Sequence, residues 1–334
     1  MLKTYASSIR WLSCVTISLT CLCSTRAQTT RRLEDITPPD VLEHVNLVRM
    51  ELDHVRAFMG RPKDLTSELP VSEAEPREVF FQAVTLFRKA DRMCFEQTRV
   101  RGREPIPPEG RILPGHVYAA VNAALERVLL VKKHLRLDMQ FTKGAPDPSK
   151  TPSDVLRSIV QANRQLNLML ERKFAPGDVF QQVTVAIGNA ERLIEQFPGE
   201  SSTIPDPPKY EPNKIPADVY RRLLGCFATV QKITEQSGQQ VLKLGQLDEA
   251  EISRAAPSDV YDVASLVVSE LAYIRGELPD AALPRKVYFP GRKFPSDVLQ
   301  RVGILEKQLA QLGKLVEQNT DWLGTVPSTV AVGE

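Results

Sequence analysis

The chain has 334 residues, 42% of them apolar, with 43 basic and 41 acidic side chains. That length can bury a sizeable core. The balanced charge argues against a general nucleic-acid or membrane-surface binder, which needs a basic excess.

Residues 1–27 read as a leader. Lys3 and Arg10 precede a moderately apolar run, Trp11–Cys23, that is too short to span a bilayer comfortably, and Thr25-Arg26-Ala27 offers small residues before Gln28. The pattern predicts a secretory signal cleaved after Ala27, with a mitochondrial-type presequence as the alternative. Cleavage would remove three basic residues and no acid, leaving a near-neutral mature chain that is secreted or periplasmic. No later segment is long and apolar enough for stable membrane insertion.

From Pro38 onward one short pattern recurs: Pro-x-acid-Val-large apolar. Its prolines are Pro38, Pro76, Pro114, Pro152, Pro176, Pro216, Pro257 and Pro295, at intervals of 38, 38, 38, 24, 40, 41 and 38 residues. A near-constant period of this size marks a repeated supersecondary unit. Proline suits the first helical position, where its φ is preset and its missing N–H would be unpaired anyway. The acid then sits in the first turn, where it meets free backbone N–H groups and the positive end of the helix dipole. Threonine precedes the proline in the first and fourth copies (Thr37, Thr151), giving a capping-box-like start. Counted from the valine, offsets 0, 4, 7, 11 and 14 are apolar in nearly every copy, as in Val41, Val45, Val48, Leu52 and Val55. This is one stripe of an amphipathic helix.

The expected helices run from Pro38 to Met59, Pro76 to Thr98, Pro114 to Leu137, Pro152 to Lys173, Pro176 to the region of Phe197, Pro216 to Leu244, Pro257 to Gly276 and Pro295 to Gln318. The fold class is therefore all-α, a helical repeat array or bundle of eight amphipathic helices joined mostly by long proline-rich connectors. Fifteen extended residues reach up to about 50 Å, further than a helix of about 21 residues, roughly 30 Å. Such a connector can return along a whole helix and leave successive helices parallel. The short stretch between the fourth and fifth helices cannot, so an antiparallel hairpin or a sharp corner is expected at 172–178. It divides the repeats into 28–174 and 175–318, with 319–334 a flexible tail.

The acid column offers one sharper hypothesis. In a parallel array Asp40, Glu78 and Asp154, or Asp178, Asp218, Asp259 and Asp297, could gather at one end and hold calcium. The competing reading, in which each acid serves its own helix start, explains every position at once. The aromatic column (Phe80, Tyr118, Phe180, Tyr220, Tyr261) reads as core or connector packing rather than a ligand-stacking surface. The four histidines read as scattered surface residues, and the Arg88-Lys89 and Lys132-Lys133 runs as solvated faces. Cys94 and Cys226 are candidates for one disulfide, although buried thiols are the simpler expectation. No zinc, phosphate-loop or nucleophile motif occurs, so neither a cofactor nor an enzymatic activity is expected. The sequence points to an exported, non-enzymatic helical repeat protein acting as a protein-binding or scaffold module, its partner another protein and not a nucleic acid. An extracytoplasmic ligand- or metal-sensing bundle is the alternative, and an enzyme without a linear motif the third reading.

Overall fold

The computed structural model describes residues 32–323 apart from Glu109, 201–203, Gln246, 279–281 and Thr320. The leader expected at 1–27 and most of the tail expected at 319–334 lie outside the described residues.

Every Pro-x-acid-Val copy opens a helix. The helices are α1 (Pro38–Phe58), α2 (Pro76–Thr98), α3 (Pro114–His134), α4 (Pro152–Met169), α5 (Pro176–Ile194), α6 (Pro216–Gln236), α8 (Pro257–Gly276) and α9 (Pro295–Gln318). Four short elements were not anticipated: a 3-10 turn at Leu33–Asp35, α7 (Glu249–Ser253), and the two-residue strands β1 (Val71–Ser72) and β2 (Lys243–Leu244), which pair antiparallel. The sixth helix stops at Gln236 rather than Leu244, because the chain turns through Gly238 at φ +72° and goes on to form β2. The protein is all-α.

The helices form two rings of four. In the first, α1 packs on α3, α3 on α2, α2 on α4 and α4 on α1. In the second, α5 packs on α8, α8 on α6, α6 on α9 and α9 on α5. The cyclic order of the repeats is thus the same in both. Within each ring the helices run parallel. Pro38, Pro76, Pro114 and Pro152 converge with Val41, Val79, Val117 and Val155 around one small apolar depression, and the same eight positions of the second ring converge likewise. The valine stripe fills each interior; Val45, Val121, Leu166, Val183, Leu223 and Leu309 are fully buried.

Parallel helices need return paths, and the connectors supply them as surface ladders. The connector after α1 descends along α4. Asp64 N–H donates to Gln165 Oε1 (3.0 Å), Arg164 to the Ser67 carbonyl (2.6 Å), Arg157 to the Val71 carbonyl (2.9 Å), and Ala74 N–H to Ser153 Oγ (3.1 Å). The connector after α5 does the same along α9, through Gln311–Glu200, Lys307–Asp206, Gln300–Pro208 and finally Lys214 N–H to Ser296 Oγ (3.1 Å). Ala74 and Lys214 occupy the same place before their prolines, and Ser153 and Ser296 the same place after theirs. The connector after α3 lies against α1, with Phe141 edge-on to His54 at 5.7 Å, and that after α8 lies against α5, with Gln181 donating to the Val287 carbonyl (3.1 Å).

Of the two arrangements expected at 172–178 the chain takes the sharp corner and not the hairpin, since α4 and α5 do not lie along one another. The antiparallel relation is between whole bundles. The chain leaves the C-terminal end of the first bundle and, within a few residues, must start the second at its N-terminal end. The bundles therefore stand side by side, head to foot, joined mainly through α2 and α8.

Candidate functional site

The acids of the repeat are occupied locally. In all eight copies the third helical residue bonds back to the backbone N–H of the residue before the proline. Asp40, Glu78, Asp154, Asp178, Asp218, Asp259 and Asp297 accept from Thr37, Glu75, Thr151, Ala175, Ile215, Ala256 and Phe294 at 2.8–3.0 Å. His116 does so through Nδ1, accepting from Leu113 at 3.0 Å. This is the acid half of a capping box, working alone where alanine, leucine, isoleucine or phenylalanine stands at the cap. Burial pushes the Asp154 carboxyl up, but hydrogen bonds from the Thr151 backbone and hydroxyl, and from Arg157, bring it below its ordinary value. At Asp259 burial prevails over the Ala256 hydrogen bond and the carboxyl is raised. Parallel helices also align their dipoles, so the positive ends accumulate at one face of each bundle, and acids there offset the mutual repulsion. Among the described residues no three metal-ligating side chains gather as a metal site.

Cys94 and Cys226 do not form the one disulfide for which they were candidates. Both are buried free thiols, one on α2 and one on α6, helices of different bundles that do not pack together. Burial pushes the Cys226 thiol up to about 12. His44 is not a surface histidine. It is buried, stacked on Tyr118 with ring centroids 4.2 Å apart, and burial pulls it down to about 4.

Two basic residues expected in solvated faces are also buried. Lys132 pairs with Glu51 at 2.7 Å inside the first bundle. Lys89 reaches Asp262 of α8 at 2.6 Å and helps to form the junction between bundles. There Arg77 of α2 meets Glu75 (3.3 Å), Glu78 (3.2 Å) and Glu270 of α8 (3.5 Å), and its guanidinium lies 4.0 Å over the Tyr273 ring. One cation thus faces three carboxylates. Glu270 is fully buried, and neither of its oxygens has a hydrogen-bond donor. Burial first, then the neighbouring Glu78 charge, raise its pKa well above the ordinary range, while Arg77 opposes them. Helical periodicity alone gives no sign of this cluster, because Arg77, Lys89 and Glu270 lie off the valine stripe.

Two openings among the described residues are large enough to matter for function. Between α1 and α4 the first bundle carries a groove of about 610 Å³, walled by the connectors at 63–66 and at Phe141. Asn46, Arg49, Met50, His54 and Gln161 line it. Arg49 hydrogen-bonds Ser158 Oγ at 3.2 Å, and the buried Nδ1 of His54 has no hydrogen-bond partner. In the second bundle Arg301 occupies the corresponding helix pair, bonding Thr184 Oγ1 at 3.2 Å. A second cleft, of about 500 Å³, lies where the bundles meet. Its charges are matched: Arg88 with Glu104 (2.6 Å), Arg101 with Asp91 (3.1 Å), Arg92 with Asp178 (3.9 Å).

Comparison of the chain with protein-family models, with curated proteins and with solved structures gives no match.

Proposed function

We propose that the chain is an exported, non-enzymatic scaffold that holds a segment of another protein in the groove between α1 and α4. The observation that carries this reading is the groove itself, a depression between two connectors whose lining mixes hydrogen-bonding side chains (Asn46, Gln161) with apolar ones (Met50, Phe141). Such a mixture suits a polypeptide, which brings both backbone polar groups and side chains. Export is supported by the leader-like pattern of residues 1–27.

The test is a photo-crosslinking residue placed at Met50 or Phe141 in the full chain, with the exposed Leu129 of α3 as control. A discrete crosslinked protein from the groove positions, lost on Arg49→Glu, is expected. Crosslinks equally frequent from Leu129 would refute the assignment. A volume of about 610 Å³ is also within the range of small-molecule sites, which keeps a ligand-sensing bundle as the second reading. A thermal shift with calcium or a metabolite, abolished by Met50→Trp, would favour it.

A further inference from the structure

The connector between α8 and α9 is dense in cations and aromatic rings. Residues 281–296 contain Arg285, Lys286, Arg292 and Lys293 and no acid. Tyr288, Phe289 and Phe294 stand between them; Tyr288 is 74% exposed and the two phenylalanines about half. Leu283 is as exposed as Tyr288, and Ile215 opens α6 nearby with half its surface in water. The α4–α5 corner adds a fifth cation, Arg172, whose guanidinium lies 5.2 Å over Phe289.

These cations differ from those of the inter-bundle cleft. The arginines of the inter-bundle cleft each meet a carboxylate, whereas Arg172, Arg285, Lys286, Arg292 and Lys293 have no ion pair among the described residues. Besides Arg172, three of them lie on aromatic rings: Lys286 on Tyr288 (5.4 Å), Arg292 on Phe294 (5.2 Å) and Lys293 on Phe180 (4.9 Å). The segment is also held in place. Gln181 fixes its backbone at Val287, and at Gly177 of α5 a Cβ would collide with the Gly291 carbonyl and press on the Phe289 ring. The face is therefore presented on a firm support.

We propose that this connector, with Arg172 beside it, docks on a negatively charged phospholipid surface. Five unpaired cations call for an anionic partner. Exposed Tyr, Phe and Leu side chains beside Lys and Arg are the combination that settles at the headgroup boundary, rings inward and charges at the phosphates. A single-stranded nucleic acid would need open ring faces on which to stack. Here Arg172, Lys286 and Arg292 already cover one face of Phe289, Tyr288 and Phe294, and the exposed Leu283 would be left without a role. The whole chain is near neutral, so this concentration of charge is local and invisible in the composition. The docking is peripheral; no helix among the described residues is long and apolar enough to cross a membrane. The proposal is independent of the groove between α1 and α4.

The experiment is co-sedimentation of the full chain with vesicles of phosphatidylcholine alone and of phosphatidylcholine with phosphatidylserine. Binding to the second only, lost at high salt, is expected. Replacing Arg285, Lys286 and Arg292 with glutamine should weaken it by about fivefold per cation. Tyr288→Ser should weaken it further, while Lys133→Gln on α3 leaves it unchanged. Tyr288→Trp should show a blue-shifted emission when phosphatidylserine vesicles are added. All these side chains are exposed, and unchanged circular dichroism checks that each variant folds. The proposal is overturned if the wild-type chain stays in the supernatant, or if the triple variant sediments as well as wild type. It is overturned equally if oligo-dT or a polyglutamate peptide binds the face and the vesicles do not.

Discussion

At the scale of single residues, the second helical position decides how a connector ends. Ser153 and Ser296 accept the N–H of Ala74 and Lys214 and so close the two longest ladders. Ser153→Ala leaves the buried Ala74 N–H unpaired, an expected loss of about 1–3 kcal/mol in urea unfolding; Ser296→Ala frees the part-buried Lys214 N–H and should cost less. Ser258→Ala, in the same column but only half buried, should change stability little. The buried pair Lys89–Asp262 makes a sharper test. Asp262→Ala strands an ammonium in the interior and should cost about 3–5 kcal/mol. Burial already pushes the Lys89 ammonium down, with Asp262 opposing it. The double change Lys89→Met, Asp262→Leu should restore most of that stability, because an apolar pair of similar size needs no desolvation.

At the scale of elements, the helix starts and the core stripe were legible in the sequence because each follows from local chemistry: proline at the first position, an acid that can reach back, valine at a fixed offset. All eight helices begin at the proline so identified. What the sequence hid is where an element meets a non-neighbour. Arg77 and Lys89 look like ordinary solvated positions until α8 is placed against α2, and the carboxylates they meet stand far along the chain. The groove between α1 and α4 was equally invisible, since it exists only where the connectors pass to either side. The basic–aromatic connector could have been found by reading 281–296 for charge sign alone, a signal that the overall balance concealed.

The junction of α2 and α8 predicts a dependence on pH. Glu270 faces Arg77 and Glu78 from α2, Glu75 from the connector before it, and Tyr273 from its own helix. Its native pKa lies well above the ordinary 4.5. The native state therefore keeps a proton that the unfolded chain releases as pH passes 4.5, and stability falls as pH rises from there toward the native pKa. Glu270→Gln, which keeps the shape and removes the titration, should flatten that slope and raise the melting temperature more at pH 8 than at pH 5. An unchanged difference between the two pH values would refute the assignment.

At the scale of the molecule, two parallel bundles stand head to foot and touch through α2 of one and α8 of the other. Removing the charges that join them, by Arg77→Ala with Lys89→Ala, should separate one calorimetric transition into two. The contact also has a direction. The repeats place α2 as the second helix of its bundle and α8 as the third of the other. A closed two-fold pair would need a matching contact between α6 and α3, and these do not pack together. A junction of this kind is open-ended: a third bundle could in principle add to α6 or to α3, and then a fourth, as heterologous contacts build filaments. The residues at the free faces bar that growth. Where α2 carries Arg77 and Lys89, α6 carries Ala217 and Thr229; where α8 carries Asp262 and Glu270, α3 carries Ala119 and Arg127. The adhesive charges are present on one copy of each surface only, so a fold that could polymerise is finished at two.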